Sequence, residues 1–383
     1  MRVGIVCYPT HGGSGVVATE LGRHLAARGH DVHFISLDRP FRLDDISGRI
    51  HLHRIGLPDY PVLPSRPYGM AAAGRIAEVV RAAGLDVVHV HYAVPHLASA
   101  LLAQQMLGRD RVPVVVTLHG TDVTVLGHDG ALSGVMAAGL MQVEAVTAVS
   151  RYLRRRTREQ FGITRPIAVI PNFVDVREFR PRPHPRADGQ RMLTIIHVSN
   201  FRPVKRVDTV IRVFACMAAI HPARLVLVGD GPDRPMAESL TDRLGIRPHV
   251  HFAGKVPRVA SLLAGADLFL LPSSEESFGL AAVEAMACGL PVLASRAGGL
   301  PEVVVHGETG FLFDPGDEEG MTRAGVELLE DDARRIAMGA AARAHVLAHF
   351  TADEIVPRYE RLYRALAGMA TPEVDIAASA TSS

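Results

Sequence analysis

Two series of short apolar runs, with helix-forming stretches between most of the runs, constrain this chain more than any other feature. The first series falls at 3–8, 31–37, 50–55, 86–91, 114–118, 145–149 and 167–170; the second falls at 193–198, 224–228, 250–253, 266–271, 291–294 and 310–313. A run such as Leu268-Phe269-Leu270-Leu271 shows no polar alternation, so the strand it forms is covered on both faces, as in a parallel sheet. Segments between the runs, such as 16–28, 71–83 and 97–107, read as helices, and Gly29 stops the first of them. Strand and helix repeated in this way give an α/β chain with doubly wound parallel sheets. Residues 171–191 break the pattern with Pro171, Pro181, Pro183, Pro185, Gly189 and many charges, which reads as a linker. Two domains are therefore expected, 1–170 and 192–350, with their strand C-terminal ends facing across a cleft. Helices at 317–329, 332–349 and 352–366 close the chain, and 369–383, rich in Pro, Ala, Ser and Thr, is expected to be disordered.

Composition narrows the function classes. A length of 383 residues exceeds one ordinary domain. With 48% apolar residues and a formal net charge of +1, the chain is not a polyanion binder. The one basic run, 151–158, lacks interleaved aromatics and reads as a solvated helix face. Cys7, Cys216 and Cys288 are far apart in apolar contexts, which suits a reducing cytoplasm and neither a disulfide framework nor a metal site. The N-terminal residues read as a strand and not a signal peptide, and no apolar run approaches the ~20 residues of a membrane span.

Within the second series, Glu275 to Gly289 lies between two strands. Helix formers run from Leu280 to Cys288 and Gly289 ends them. Glu276 precedes the helix and Glu284 lies one turn in, with Gly279 between them at the helix start. Such a start receives anions, and two flanking carboxylates suit a ligand with hydroxyls at both ends and phosphate in the middle, such as a nucleotide-sugar. The alternative is a surface helix with solvated glutamates. Ser199-Asn200-Phe201-Arg202-Pro203-Val204-Lys205-Arg206 follows the first strand of the same domain and offers three cations for a diphosphate, without the glycines of a Walker loop. In the first domain, Gly13-Ser14-Gly15-Val16-Val17-Ala18 fits a dinucleotide fingerprint, with Asp38 at a suitable distance. This keeps a nicotinamide-dependent oxidoreductase as a rival, although Pro9 to Gly12 make the turn longer than that fingerprint wants. His119, Thr121 and Asp122 follow one strand, and His89, His91 and Tyr92 end another. The two alternating histidines make a metal pair conceivable, without a third ligand of clear spacing. Ser150 and Ser199 lack the elbow of a hydrolase nucleophile.

Together these stretches resemble the retaining glycosyltransferases of family 4. The resemblance is carried by Glu276-Ser277-Phe278-Gly279-Leu280 with Glu284 to Val292, by Gly298-Gly299-Leu300-Pro301-Glu302, by Gly307 to Leu312 and by Val228 to Pro232. It implies a GT-B architecture of two Rossmann-like domains, an acceptor domain and a donor domain, with a final helix at 351–368 crossing back to the first. Cys7 to Gly15, Phe41-Arg42-Leu43, His91 to His96, Leu118 to Gly127 and His197 to Arg202 are similar to the branch of that family that moves N-acetylglucosamine from UDP to the hydroxyl of L-malate at the start of bacillithiol synthesis. That branch implies a cytoplasmic homo-oligomer acting without cofactor, metal, nucleic acid or membrane.

Carried over on matching residues, the resemblance makes Glu276, Lys205, Arg206 and His119 the catalytic set. Glu284 would hold the ribose, and Glu276, with Ser277 and the N–H groups of Phe278 and Gly279, the donor sugar. Leu280 N–H, Lys205, Arg206 and Gly15 N–H would face the diphosphate, with Gly13, Ser199, Asn200 and Arg202 completing the donor site. Many family members carry Arg where Asn200 stands, which passes that role to Arg202 or Arg206. Ser14, Arg42, Tyr92 and Thr121 are the acceptor candidates, with Arg151 a weaker one. Another acceptor, such as an inositol phosphate or a lipid-linked sugar, and a noncatalytic nucleotide-sugar module are the remaining alternatives.

Overall fold

The computed structural model describes residues 1–9, 12–43, 46, 48–57, 66–182 and 192–369. Residues 183–191 of the linker expected at 171–191, and all but the first residue of the expected tail at 369–383, lie outside them. The chain divides into two compact units. One holds Met1–Ala148, Thr157–Ile170 and the chain from Ile355; the other holds Val149–Arg156 and Pro171–Glu354.

The first unit is built on seven strands: β1 (Arg2–Val6), β2 (Asp31–Ser36), β3 (Ile50–Arg54), β4 (Val87–His91), β5 (Val114–Leu118), β6 (Ala145–Ala148) and β7 (Ala168–Val169). They form one parallel sheet in the order β3-β2-β1-β4-β5-β6-β7. Central strands are buried along their length, and Ile5, Phe34, Val88, Val90 and Val116 have no exposed surface. The edge strand β3 is partly exposed and carries the most polar sequence of the seven, Ile-His-Leu-His-Arg. From Ile355 the helix Ala352–Leu366 belongs to this unit. Its buried Tyr363 hydroxyl meets His89 Nδ1 at 2.6 Å, and its Glu360 accepts hydrogen bonds from Arg28 at 2.8 and 2.9 Å.

The second unit repeats the plan with β8 (Leu193–Val198), β9 (Ala223–Val228), β10 (Val250–Gly254), β11 (Leu268–Leu271), β12 (Val292–Ser295) and β13 (Gly310–Phe313). These pair in parallel in the order β10-β9-β8-β11-β12-β13. Ile195, Leu225, Leu227, Leu268, Leu270 and Leu293 meet Phe214 and Met217 of the helix Val207–Ile220 in its core. Truncating one of these leucines to Ala would cost about 2–5 kcal/mol. The helices Glu318–Glu330 and Asp332–His349 start within a residue of expectation because each is capped. Asp317 accepts Gly320 N–H at 2.8 Å, and Asp331 accepts Arg334 N–H at 2.9 Å.

Strand order reverses at β1 in one sheet and at β8 in the other. Loops leaving the strands on either side of a reversal diverge and leave a crevice at their C-terminal ends. In the first unit those loops follow β1 and β4; in the second they follow β8 and β11.

Candidate active site

In the second unit the loop after β8 carries the Ser199–Arg206 motif and the loop after β11 carries Glu275 to Gly279. The structure joins them directly: Lys205 Nζ forms a close ion pair with Glu276 Oε2, their side chains being 20% and 12% exposed. Both loops are held by backbone packed on backbone. A Cβ on Gly229 would lie 1.7 Å from Ser199 O, and one on Gly298 would lie 1.9 Å from Glu276 O. Only glycine permits these approaches, and each also has a positive φ. Gly299 N–H then donates to Glu276 O at 2.7 Å.

Below the first loop, His197 Nδ1 donates to Leu270 O at 2.8 Å, which leaves Nε2 to accept the Ser199 hydroxyl at 2.8 Å. Burial pushes this imidazole down to about 4, against the partial restoring effect of the carbonyl, so it stays neutral. Asn200 is exposed and Arg202 half-buried. The arginines of the loop differ in commitment. Arg206 bonds Asp208 at 3.2 Å and Thr209 at 3.1 Å, within a network that includes Arg212 and Glu318. Arg202 has no acidic partner among the described residues, so its guanidinium is the one available to an anion.

The helix after Gly279 is Leu280–Ala287, with Gly279 at φ 96° as its N-cap. It is not a surface helix. Residues 282–287 are buried, Glu284 is 6% exposed and Phe278 3%. A carboxylate held on such a helix is a designed feature, because burying it without partners would cost far more than exposure.

In the first unit the helix Gly13–Ala27 starts three residues earlier than expected, so Gly13, Ser14 and Gly15 form its first turn and not a free loop. Its N-cap, Gly12, offers no side chain, and the first-turn N–H groups have no partner within the helix. The sequence reading missed this because glycine argues against helix everywhere except at such an end.

The loops after β4 and β5 are stapled together. Asp122 is fully buried and accepts Ala93 N–H at 3.1 Å, Gly120 N–H at 2.8 Å and His119 N–H at 3.2 Å. Burial pushes its carboxyl up while these donors pull it back. Tyr92, at φ 72°, reaches Thr121 Oγ1 at 2.7 Å, so these two acceptor candidates are neighbours. Tyr92 also packs edge-on against Tyr8 at 5.9 Å between centroids. His119 Nε2 lies 3.1 Å from His91 Nδ1, and burial pushes His119 down to about 3. His89 is engaged by Tyr363 and Thr117, each at 2.6 Å. Among the described residues no group of three or more His, Cys, Asp or Glu could hold a metal ion. Arg42, at φ 65°, stands in the loop between β2 and β3 beside the Phe41 ring.

Comparison with known proteins agrees with this layout. Residues 11–178 match the model for Glycosyltransferase Family 4, and residues 178–345 match that for Glycosyl transferases group 1. The chain is 44% identical over 368 residues to the N-acetyl-alpha-D-glucosaminyl L-malate synthase of Bacillus anthracis, covering 95% of this chain and 96% of that one. It belongs to glycosyltransferase family 4.

More distant members include a D-inositol 3-phosphate glycosyltransferase of Xylanimonas cellulosilytica, 32% identical with 87% of each chain covered. Among solved structures, sucrose-phosphate synthase from Thermosynechococcus elongatus superposes with a TM-score of 0.79 at 24% identity, over 96% of this chain and 99% of that one. Anabaena HepE, solved with UDP and glucose, gives 0.79 at 20% identity, over 96% of this chain and all of that one. The fold is that of the GT-B glycosyltransferases, and the rival dinucleotide oxidoreductase falls away. No helix among the described residues is long and apolar enough to cross a membrane.

Residues that the sequence reading passed over also shape this family 4 site. Ser150, weighed only as a nucleophile, donates to Ser277 O at 2.6 Å. Glu302 accepts Arg151 N–H and Tyr152 N–H, both at 2.8 Å, which places Arg151 at a helix start. Tyr152 OH reaches Glu275 at 3.2 Å. A serine directly before a helix-forming stretch is an N-cap signature, and that signal was present in the sequence.

Proposed function

We propose that this glycosyltransferase moves N-acetylglucosamine from UDP-N-acetylglucosamine to the hydroxyl of L-malate with retention, giving GlcNAc-α-malate and UDP, the first step of bacillithiol synthesis. The observation that carries the reading is the 44% identity, spanning nearly the whole of both chains, to a protein of that name. The pairing of Lys205 with Glu276 at the start of a buried helix supports it from the geometry.

In this reading residues 192–350 bind the donor and 1–170 the acceptor. Glu284 accepts the ribose hydroxyls. Glu276 accepts a sugar hydroxyl, with Ser277 and the N–H groups of Phe278 and Gly279 beside it. Lys205 and Arg202 neutralise the diphosphate, and Arg206, already balanced by Asp208, supports the loop. Gly13 and Gly15 bring backbone N–H groups toward the phosphates. His119, held neutral by burial, offers a ring nitrogen to the sugar. Ser14, Arg42, Tyr92 and Thr121 receive malate, a dianion that needs a cation and hydroxyl donors.

The C1–O bond to the β-phosphate breaks as the malate oxygen bonds to C1 on the same face, and the malate hydroxyl proton passes to the departing phosphate oxygen. Charge developing on the diphosphate is met by fixed cations, the main requirement of such a step. A carboxylate already tied to Lys205 is a poor nucleophile, so a covalent glycosyl-enzyme is not favoured.

The test is UDP release from UDP-N-acetylglucosamine with L-malate or with inositol 3-phosphate. Release with malate alone supports the proposal. Release with inositol phosphate alone favours the second reading, which the 32% identical relative motivates. The anomeric proton coupling of the product reads the stereochemistry. A cytoplasmic homo-oligomer goes with the same reading, and light scattering reads its mass.

A further inference from the structure

The loop 275–279 exposes two carbonyls to one flank, and both are taken. Glu276 O accepts Gly299 N–H at 2.7 Å, and Ser277 O accepts the Ser150 hydroxyl at 2.6 Å. In a trans peptide the C=O and the following N–H point in opposite directions, and the only cis bond among the described residues is Val94–Pro95. Fixing those two carbonyls therefore turns the N–H groups of Ser277 and Phe278 away from Gly299 and Ser150.

We propose that Ser150 is a positioning residue for donor binding, its hydroxyl aiming the Phe278 N–H at the phosphate–sugar end of the nucleotide-sugar. The inference rests on the reading above that residues 276–280 hold the donor. Ser150 is 1% exposed, so water does not compete for the bond. Its oxygen also accepts Leu153 N–H at 3.0 Å, which makes it the N-cap of the helix that begins at Arg151. The hydroxyl thus has one accepting and one donating duty. The two can be separated, because glycine serves as an N-cap at a cost of only a few tenths of a kcal/mol and donates nothing from a side chain. Glu302 holds the same helix start independently through Arg151 and Tyr152.

The experiment compares Ser150→Gly and Ser150→Thr with the parent in melting temperature, in the KM for UDP-N-acetylglucosamine and for L-malate, and in the calorimetric affinity for UDP. Loss of one buried hydrogen bond predicts that Ser150→Gly raises the donor KM and the UDP Kd about three- to tenfold, with the malate KM unchanged and the melting temperature lowered by a few degrees at most. Ser150→Thr, which keeps both duties, should stay within about twofold of the parent. Donor constants unchanged in Ser150→Gly would overturn the proposal. So would a fall in melting temperature with unchanged KM values and a kcat that tracks the folded fraction, or a Thr variant that behaves like Gly. Should the parent fail to turn over UDP-N-acetylglucosamine with malate, the functional reading fails on its own, and the UDP affinities still decide the role of Ser150.

Discussion

Replacing Glu276 by Gln should make UDP bind more tightly while turnover falls. Lys205 and Glu276 form a close pair with side chains 20% and 12% exposed. Two unit charges about 4 Å apart at an effective dielectric of ~20 interact by about 4 kcal/mol. Desolvation and residual exposure leave roughly 1–2 kcal/mol of that as net worth. A diphosphate arriving at Lys205 must share the ammonium with Glu276 and tolerate the carboxylate nearby. UDP lacks the sugar that Glu276 is proposed to hold, so for UDP the carboxylate is only a competitor. Glu276→Gln keeps the shape, removes the charge and returns about 1–2 kcal/mol, or about five- to thirtyfold in Kd. Lys205→Met should act oppositely and weaken UDP by about ten- to a hundredfold, the worth of hydrogen bonds to a charged group. Titration calorimetry with UDP reads both, and steady-state kinetics should show kcat for Glu276→Gln down about a hundredfold. UDP affinity unchanged or weakened in Glu276→Gln would refute the reasoning, because a merely structural ion pair loses affinity whichever partner is removed.

Glu284→Ala should weaken UDP about ten- to a hundredfold with kcat within about threefold; weak binding in the Glu276 variant and slow turnover in this one would mean the roles are exchanged. Gly298→Ala would place a Cβ 1.9 Å from Glu276 O at a φ of 58°, so a lower melting temperature and at least a tenfold loss in kcat/KM for the donor are expected, and parent-like values would show that the loop yields easily. The imidazole of His197 is pushed down to about 4 by burial, against about 6.5 in an unfolded chain. Between those values the unfolded state binds more protons, so stability falls as pH drops from about 6.5 toward 4, by about 3 kcal/mol for this group, and levels off below. Urea midpoints across that window should show a shallower slope in His197→Gln.

The sheets were legible because parallel strands covered on both faces must be written as unbroken apolar runs, as Leu268–Leu271 is. The closing helices were legible because Asp317 and Asp331 announce their starts. The helix at Gly13 was misread by three residues, since two of its first three residues are glycines that a helix interior would reject. Glu276 and Glu284 could be paired by spacing, but the partner of Glu276 lies 71 residues away, and no local pattern encodes such a contact. The same holds for Ser150 and Ser277, 127 residues apart. Arg202 and Arg206 look equivalent in sequence, and only the neighbouring Asp208 and Thr209 tell them apart.

The four glycines that press on the loops after β8 and β11 also bear on redesign. A Cβ at Gly229, Gly231, Gly298 or Gly299 would fall 1.7–2.3 Å from a backbone oxygen of Ser199, Asn200, Glu276 or Ser277. Those positions are closed to every side chain, so a saturation library spent there samples collapse and not new chemistry. In the donor-binding reading proposed above, a shift in sugar preference is to be sought in the side chains the glycines hold up, at Asn200, Arg202 and Ser277, where variation changes the lining and leaves the frame alone.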